Sequence, residues 1–145
     1  MTPRGIRNNN PGNLNFVHQP GAVLEPGPNA RFARFPTAEA GLAALRDQLR
    51  RYILRDGIDT VAGIIGKWAP PSENNTAAYI RGVAHALGVE PDTRLGPPSP
   101  RLLTGLMNAI IRFENGQNPY GPLVARVARD ASSHSLHSPD SPRIS

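Results

Sequence analysis

The decisive stretch of the chain is residues 109–120, with the sequence AIIRFENGQNPY. It predicts the last turns of a buried helix, followed from Gly116 by a polar turn. Glu114 lies at the end of that helix, where a negative charge opposes the helix dipole. A carboxyl group between an apolar helix face and an open turn is partly desolvated, which suits a general acid that protonates a glycosidic oxygen. A solvated helix-terminal glutamate is the alternative.

Apolar periodicity predicts further helices upstream of this one. Their starts are predicted at Thr37, at Asp59 or Thr60, after the polar loop 72–76, and at Ser99-Pro100. A weaker final helix is predicted over residues 123–131. Near the start of the chain, the runs 21–24 and 31–35 flank a turn that contains Pro and Gly, and they predict a β-hairpin. The expected fold class is α+β, mainly α, with one cleft.

Length and composition indicate one small domain. The chain has 145 residues, enough for a single hydrophobic core. We expect the domain to cover residues 1–131, and residues 132–145, rich in Ser, His and Pro, to form a disordered tail. Cysteine is absent, which excludes disulfides, thiol chemistry and zinc–thiolate sites. No apolar run approaches the roughly 20 residues of a membrane-spanning helix, and the first residues lack the apolar core of a signal peptide.

The chain is basic, with a formal net charge of +5. Nearly all of the positive charge is arginine, since Lys67 is the sole lysine. Such a surface favours polyanionic partners, which include nucleic acids and the bacterial cell wall. The arginines are scattered rather than clustered, which argues against a nucleic-acid-binding protein. A GC-rich genome is an equally good explanation of the arginine content.

Two other segments are rich in polar turn residues. Residues 4–14 read RGIRNNNPGNL, and their asparagines can hold a turn or can bind sugar hydroxyl and N-acetyl groups. Residues 68–80 read WAPPSENNTAAYI. Within them, Glu73 can cap the next helix, hydrogen-bond to arginine or act in catalysis. Trp68 is predicted to lie in the core, although aromatic rings also stack on sugars.

These three segments resemble the motifs of a family of phage virion-associated and secreted bacterial proteins linked to cell-wall lysis. That family carries RGIRNNNPGN, then WAPPxENxTxxYI, then ENGxNP, in the order found here over residues 4–120. The helix-Glu-turn segment is also similar to the catalytic motif of lysozyme-like lytic transglycosylases, although Asn115 stands where that motif has serine. In those enzymes the Glu helix comes first, whereas here it comes last. The resemblance therefore implies a circularly permuted lysozyme-like fold.

The resemblance implies a peptidoglycan glycosidase, either a muramidase or a lytic transglycosylase, with Glu114 as the general acid. The bond cleaved is the β-1,4 linkage between N-acetylmuramic acid and N-acetylglucosamine. A second acid is open: the candidates are Glu25, at the predicted hairpin tip, Glu39 and Glu73, while lytic transglycosylases work with a single carboxylate. The substrate-binding residues that the motifs imply are Asn8, Asn9, Asn10, Asn13, Glu73, Tyr79 and Asn118.

A non-catalytic virion or wall-binding protein of lysozyme-like shape is the alternative function. We expect no metal and no cofactor, because the four histidines lack metal-binding spacing. The expected partners are peptidoglycan strands, a virion or secretion-system carrier, and an immunity protein. We expect synthesis in the cytoplasm without a signal peptide, no membrane insertion, and action on the cell wall after release or delivery.

Overall fold

The computed structural model of the protein describes residues 2–71 and 74–130. In chain order the elements are α1 (Arg4–Arg7), β1 (Val23–Leu24), β2 (Ala33–Arg34), α2 (Ala38–Arg50), α3 (Val61–Trp68), α4 (Thr76–Leu87), α5 (Pro100–Asn115) and α6 (Leu123–Arg129). β1 and β2 pair antiparallel. The predicted fold class, α+β and mainly α, is confirmed. The tail predicted for residues 132–145 lies outside the described residues.

The helices begin where side chains can cap them. Three predicted caps, Thr37, Thr60 and Ser99, each accept the backbone N–H of the third residue after them. These bonds satisfy donors that the first turn of a helix leaves without a partner. Asn75 caps α4 in the same way. Glu73, the residue predicted as a possible cap of that helix, lies outside the described residues.

The helix ends were predicted less completely than the starts. Gly88 and Gly116 end α4 and α5 in the left-handed conformation, with φ of 69° and 71°. α2 does not stop at its last α-helical residue, because a π-helical turn over Arg51–Arg55 extends it. The sequence pattern did not predict that turn, nor the single-turn helix α1.

α5 is the central helix of the fold. It contacts α1, α2, α4 and α6. Its apolar stripe is fully buried, and consists of Leu103, Leu106, Met107, Ile110 and Ile111. Trp68 is also fully buried, which confirms its predicted place in the core. Among the described residues, no helix is both long and apolar enough to cross a membrane.

The hairpin is held against the Asn-rich turn that follows α1. The backbone N–H of Ala33 donates to Leu14 O at 2.9 Å, and the N–H of Phe35 donates to Asn8 O at 2.9 Å. Glu25 lies at the base of the hairpin loop rather than at its tip, because its N–H donates to Phe32 O across the loop. The hairpin and the turn therefore form one hydrogen-bonded unit.

α2 contacts this unit through a glycine. A Cβ atom on Gly41 would lie 1.7 Å from the backbone oxygen of Asn9, a distance at which atoms overlap. α2 can therefore lie against the turn only because residue 41 has no side chain. A Cβ atom on Gly66, in α3, would instead lie in open space.

These two glycines give a matched test of the contact. We expect Gly41→Ala to lower the free energy of unfolding by about 2 kcal/mol or more, because the turn must move away from α2. Gly66→Ala should raise it by about 0.5–1 kcal/mol, since alanine favours a helix. Urea denaturation of both variants measures the difference. Equal stability of the two variants would show that the close approach of α2 to Asn9 is not present in solution.

Candidate active site

Glu114 lies in the last turn of α5, at the border between the core and the surface. Ile110 and Ile111, one turn earlier, are fully buried, whereas Glu114 is half-buried. The helix ends one residue later, so the carboxyl group lies beside the open turn that begins at Gly116. The predicted placement of Glu114 at the end of a buried helix is confirmed.

Two side chains from distant parts of the chain hold the carboxyl group. The Asn13 amide donates to Oε1 of Glu114 at 2.8 Å. The Tyr79 hydroxyl donates to Oε2 at 2.9 Å. Asn13 belongs to the first motif, Tyr79 to the second and Glu114 to the third. The three motifs that are separate in the sequence therefore meet at one carboxyl group.

Asn13 is positioned by an unusual backbone conformation and by its neighbour. Its φ is 53°, in the left-handed region that asparagine tolerates better than most residues. Its N–H donates to Asn10 O at 2.9 Å. Its Oδ1 is buried and, within the described part of the chain, makes no hydrogen bond. The sequence favoured no single asparagine of this turn, and the structure selects Asn13 as the one that contacts Glu114.

Asn115, next to Glu114, joins two segments of the structure. Its amide donates to Pro11 O at 2.9 Å and to Ile111 O at 3.0 Å. It therefore ties the end of α5 to the Asn-rich turn. A Cβ on Gly5 would lie 2.6 Å from Asn115 Oδ1 and 2.8 Å from Asn13 Oδ1, so α1 approaches both side chains only because residue 5 is glycine.

An aromatic pair lies beside Glu114. Tyr79 is almost fully buried, and its ring stacks on Phe113 with centroids 3.8 Å apart and planes inclined by 16°. Phe113 is 46% exposed. Aromatic rings that are stacked on one side and open on the other offer an apolar face to a ligand. Phe113 was not among the predicted site residues. The signal for it was an apolar side chain that lies off the buried stripe of α5.

Two of the predicted sugar-binding asparagines are structural. Asn8 is 2% exposed and its amide donates to Glu25 Oε1 at 3.1 Å. Asn10 is fully buried: its amide donates to two backbone oxygens and its Oδ1 accepts the N–H of Leu14. No surface of Asn8 or Asn10 is left for a ligand. These residues hold the turn, which is the alternative that the sequence had left open.

Two further residues predicted to bind substrate, Asn9 and Asn118, donate to groups other than Glu114. Asn9 is half-buried, and its amide donates to Phe35 O at 3.1 Å. Asn118 holds the turn after α5, because its amide donates to Asn108 Oδ1 at 2.8 Å. Glu73 lies outside the described residues. Within those residues, no cluster of His, Asp and Glu is suited to a metal ion.

Glu25 is committed to an ion pair. The Arg4 guanidinium donates to both of its carboxylate oxygens. The N–H groups of Arg31 and Phe32 donate to Oε2 at 3.1 and 2.9 Å, in addition to the Asn8 bond to Oε1. With a residue exposure of 6%, Glu25 has no free face toward a substrate. The geometry favours a structural role and speaks against the predicted role of second acid.

These contacts change the acidity of Glu25. Burial by itself raises the pKa, but hydrogen bonds from Arg4, from the Phe32 and Arg31 N–H groups and from Asn8 outweigh it. The pKa is lowered from 4.5 to about 2. Because the folded state has the lower pKa, the stabilisation is fully present above about pH 4.5 and is lost as the pH falls toward 2.

Replacing Glu25 should therefore change stability in a pH-dependent way. We expect Glu25→Gln to lower the free energy of unfolding at pH 7 by about 1–3 kcal/mol, because Arg4 and two N–H groups lose a charged acceptor. The deficit should shrink as the pH falls from 4.5 toward 2, because Glu25 takes up a proton near pH 4.5 in the unfolded wild type but only near pH 2 in the folded protein. Glu39, whose side chain is 64% exposed and pairs with Arg126 at 3.5 Å, is the control. Glu39→Gln should change stability by less than about 0.5 kcal/mol. A pH-independent deficit in Glu25→Gln would contradict the ion-pair assignment.

Comparison with known proteins places the chain in a family. No protein-family model matches the sequence. The chain is 36% identical over 121 residues to Protein P5 of Pseudoalteromonas phage PM2, across 81% of this chain and 74% of that protein. The protein belongs to the family of Protein P5 of Pseudoalteromonas phage PM2.

Proposed function

We propose that this protein is a peptidoglycan glycosidase, a lytic transglycosylase or muramidase, with a circularly permuted lysozyme-like fold. Glu114 is the general acid that protonates the oxygen between N-acetylmuramic acid and N-acetylglucosamine. The observation that carries the proposal is the convergence of all three motifs at Glu114, through Asn13 and Tyr79. The two donors come from separate segments of the chain and share one carboxyl group as their target, which supports a chemical role for Glu114.

The two partners suit a group that gains and loses a proton. A phenol both donates and accepts, so Tyr79 can accept from the protonated acid and donate to the carboxylate that remains after proton transfer. The Asn13 amide donates to Oε1 throughout. Neither partner needs to move when the charge of Glu114 changes, which keeps the proton donor in place during the reaction.

We propose a single-carboxylate mechanism, which the contacts of Glu25 and Glu39 support. Glu25 is held by Arg4 and by backbone N–H groups, and Glu39 is exposed on the surface. In the proposed reaction Glu114 gives its proton to the glycosidic oxygen as the bond to the muramyl C1 breaks. The N-acetyl group of the substrate supports the developing positive charge. The muramyl 6-hydroxyl then attacks C1 and returns a proton to Glu114, which leaves an anhydro sugar.

Phe113 supplies the apolar part of the proposed cleft. Its ring stacks on Tyr79, whose hydroxyl holds Glu114, and the Phe113 side chain remains partly exposed. A pyranose ring has apolar faces of C–H groups that stack on aromatic rings. We therefore assign Phe113 to a sugar subsite next to the cleaved bond.

The setting of this activity is the cell wall. Membership in a family with a phage protein agrees with wall degradation during phage entry or release. The proposal therefore includes peptidoglycan strands as substrate, a virion or secretion system as carrier and, where the protein is delivered between bacteria, an immunity protein. In this proposal the protein is made in the cytoplasm and acts on the wall.

Replacing Glu114 tests the proposal directly. Glu114→Gln keeps the size of the side chain but cannot give up a proton. We expect its rate of release of soluble fragments from purified peptidoglycan to fall at least about 100-fold. Glu39→Gln is the control and should retain the rate. Mass spectrometry of the wild-type products should show anhydromuramyl ends. Reducing ends instead would contradict the single-carboxylate route, and equal rates for Glu114→Gln and wild type would contradict the role of Glu114.

Removing the Tyr79 hydroxyl tests the second contact. Tyr79→Phe keeps the aromatic ring that stacks on Phe113 and removes the hydroxyl that donates to Glu114. We expect the rate to fall by about 10–100-fold, and the pH profile of the rate to shift, because a charged acceptor loses a donor. Tyr120→Phe is the matched control: the Tyr120 hydroxyl is buried without a hydrogen bond in the described part of the chain. It should leave both the rate and the profile unchanged.

One observation favours the non-catalytic alternative. Glu114 accepts hydrogen bonds at both oxygens, as a purely structural carboxylate would, and the predicted second acid is not available. A wall-binding protein of lysozyme-like shape would then retain the cleft without cutting the glycan. In that case the wild-type protein would sediment with peptidoglycan, and the peptidoglycan would gain neither anhydromuramyl nor reducing ends.

A further inference from the structure

A second concave site lies away from Glu114, between the end of α1, the hairpin and the start of α2. Its volume is about 390 Å³, within the usual range for a small-ligand pocket. Two arginines line it, Arg7 from α1 and Arg34 from β2. The remaining wall includes Asn9, Val23 and Phe35. None of the lining residues is acidic.

Both arginines are available to a ligand. In the ranges 2–71 and 74–130, neither guanidinium makes a hydrogen bond or an ion pair. The neighbouring Arg4, by contrast, is neutralised by Glu25. Arg7 and Arg34 are exposed, so they remain charged and solvated. The cavity therefore carries two positive charges that the described part of the protein does not balance.

The backbone that carries the two arginines is held in place. The N–H of Phe35, next to Arg34, donates to Asn8 O, next to Arg7, at 2.9 Å. The Asn9 amide donates to Phe35 O at 3.1 Å. The end of α1 and the end of β2 are thus joined by two hydrogen bonds. A ligand at this place meets a preformed backbone, and only the two side chains need to be ordered.

The chemistry of the wall identifies the class of ligand. Guanidinium groups bind carboxylate and phosphate oxygens through paired N–H donors. Val23, which is 58% exposed and lies opposite Arg34 in the hairpin register, adds an apolar surface. We propose that this cavity is a binding site for a carboxylate or phosphate group on a small ligand, held between Arg7 and Arg34. The site is separate from Glu114 and does not depend on the proposed activity.

Titration with two simple anions tests the site and distinguishes the two ligand classes. Inorganic phosphate and acetate are added separately to the full-length protein, at an ionic strength kept constant with chloride. NMR follows the backbone N–H groups and the arginine Nε–H groups. We expect saturable shifts at Arg7, Arg34 and Gly21 with at least one of the anions. The anion that binds more tightly identifies the class, phosphate or carboxylate.

Three variants separate a built site from general attraction to a basic surface. Arg7→Gln and Arg34→Gln should each weaken binding at least about tenfold, because one charged donor pair is lost. Arg34→Lys, which keeps the charge without the planar pair of donors, should weaken binding less than Arg34→Gln. Arg101→Gln removes one exposed charge from the start of α5 and should leave binding unchanged.

Several outcomes would contradict an anion site between Arg7 and Arg34. Shifts that rise linearly without saturation, or that appear equally at Arg81 and Arg101, would show screening of surface charge alone. Equal weakening by Arg101→Gln and Arg7→Gln would show the same. The fingerprint spectra of the variants report folding, and all the replaced arginines are exposed, so loss of binding is separable from loss of structure.

Discussion

The contact between the Asn-rich turn and the end of α5 is the interaction on which the candidate active site depends. It joins Asn115 to Pro11 and Glu114 to Asn13, pairs that are 104 and 101 residues apart in the chain. Closing so long a loop costs conformational entropy, which burial of the α5 stripe must offset. Without this contact Glu114 would be a solvated residue at a helix end. With it, residues from the two ends of the described chain meet at one carboxyl group.

This contact requires a close approach of neighbouring backbones, which two glycines allow. Gly5 allows α1 to lie against Asn13 and Asn115, and Gly41 allows α2 to lie against the carbonyl of Asn9. The Asn-rich turn is therefore enclosed from two sides by elements without a side chain at the point of contact. These close contacts restrict the positions that the turn can take. A carboxyl group placed by such a turn stays where it is placed, which is a requirement of a site that positions one proton donor.

Local physics made much of the fold predictable. Caps such as Thr37 and Ser99 and a stop such as Gly116 are decided within a few residues, and so the helices they bound were predicted correctly. The roles of polar residues depend on partners far along the chain. Four asparagines of one turn read alike in the sequence, yet only Asn13 reaches Glu114 and only Asn8 reaches Glu25. Glu25 looked like a free loop acid because its partner Arg4 lies 21 residues away.

The two carboxyl groups show how the same chemical group acquires different properties in one small domain. Glu25 is surrounded by a guanidinium and by N–H groups, so its negative charge is part of the fold and its pKa is lowered to about 2. Glu114 is contacted by an amide and a phenol, which are neutral. Neutral partners fix the position of a carboxyl group without requiring that it carry a charge. The charge of Glu25 is thus part of the fold, whereas under the function proposed above Glu114 is the group that passes a proton to the substrate.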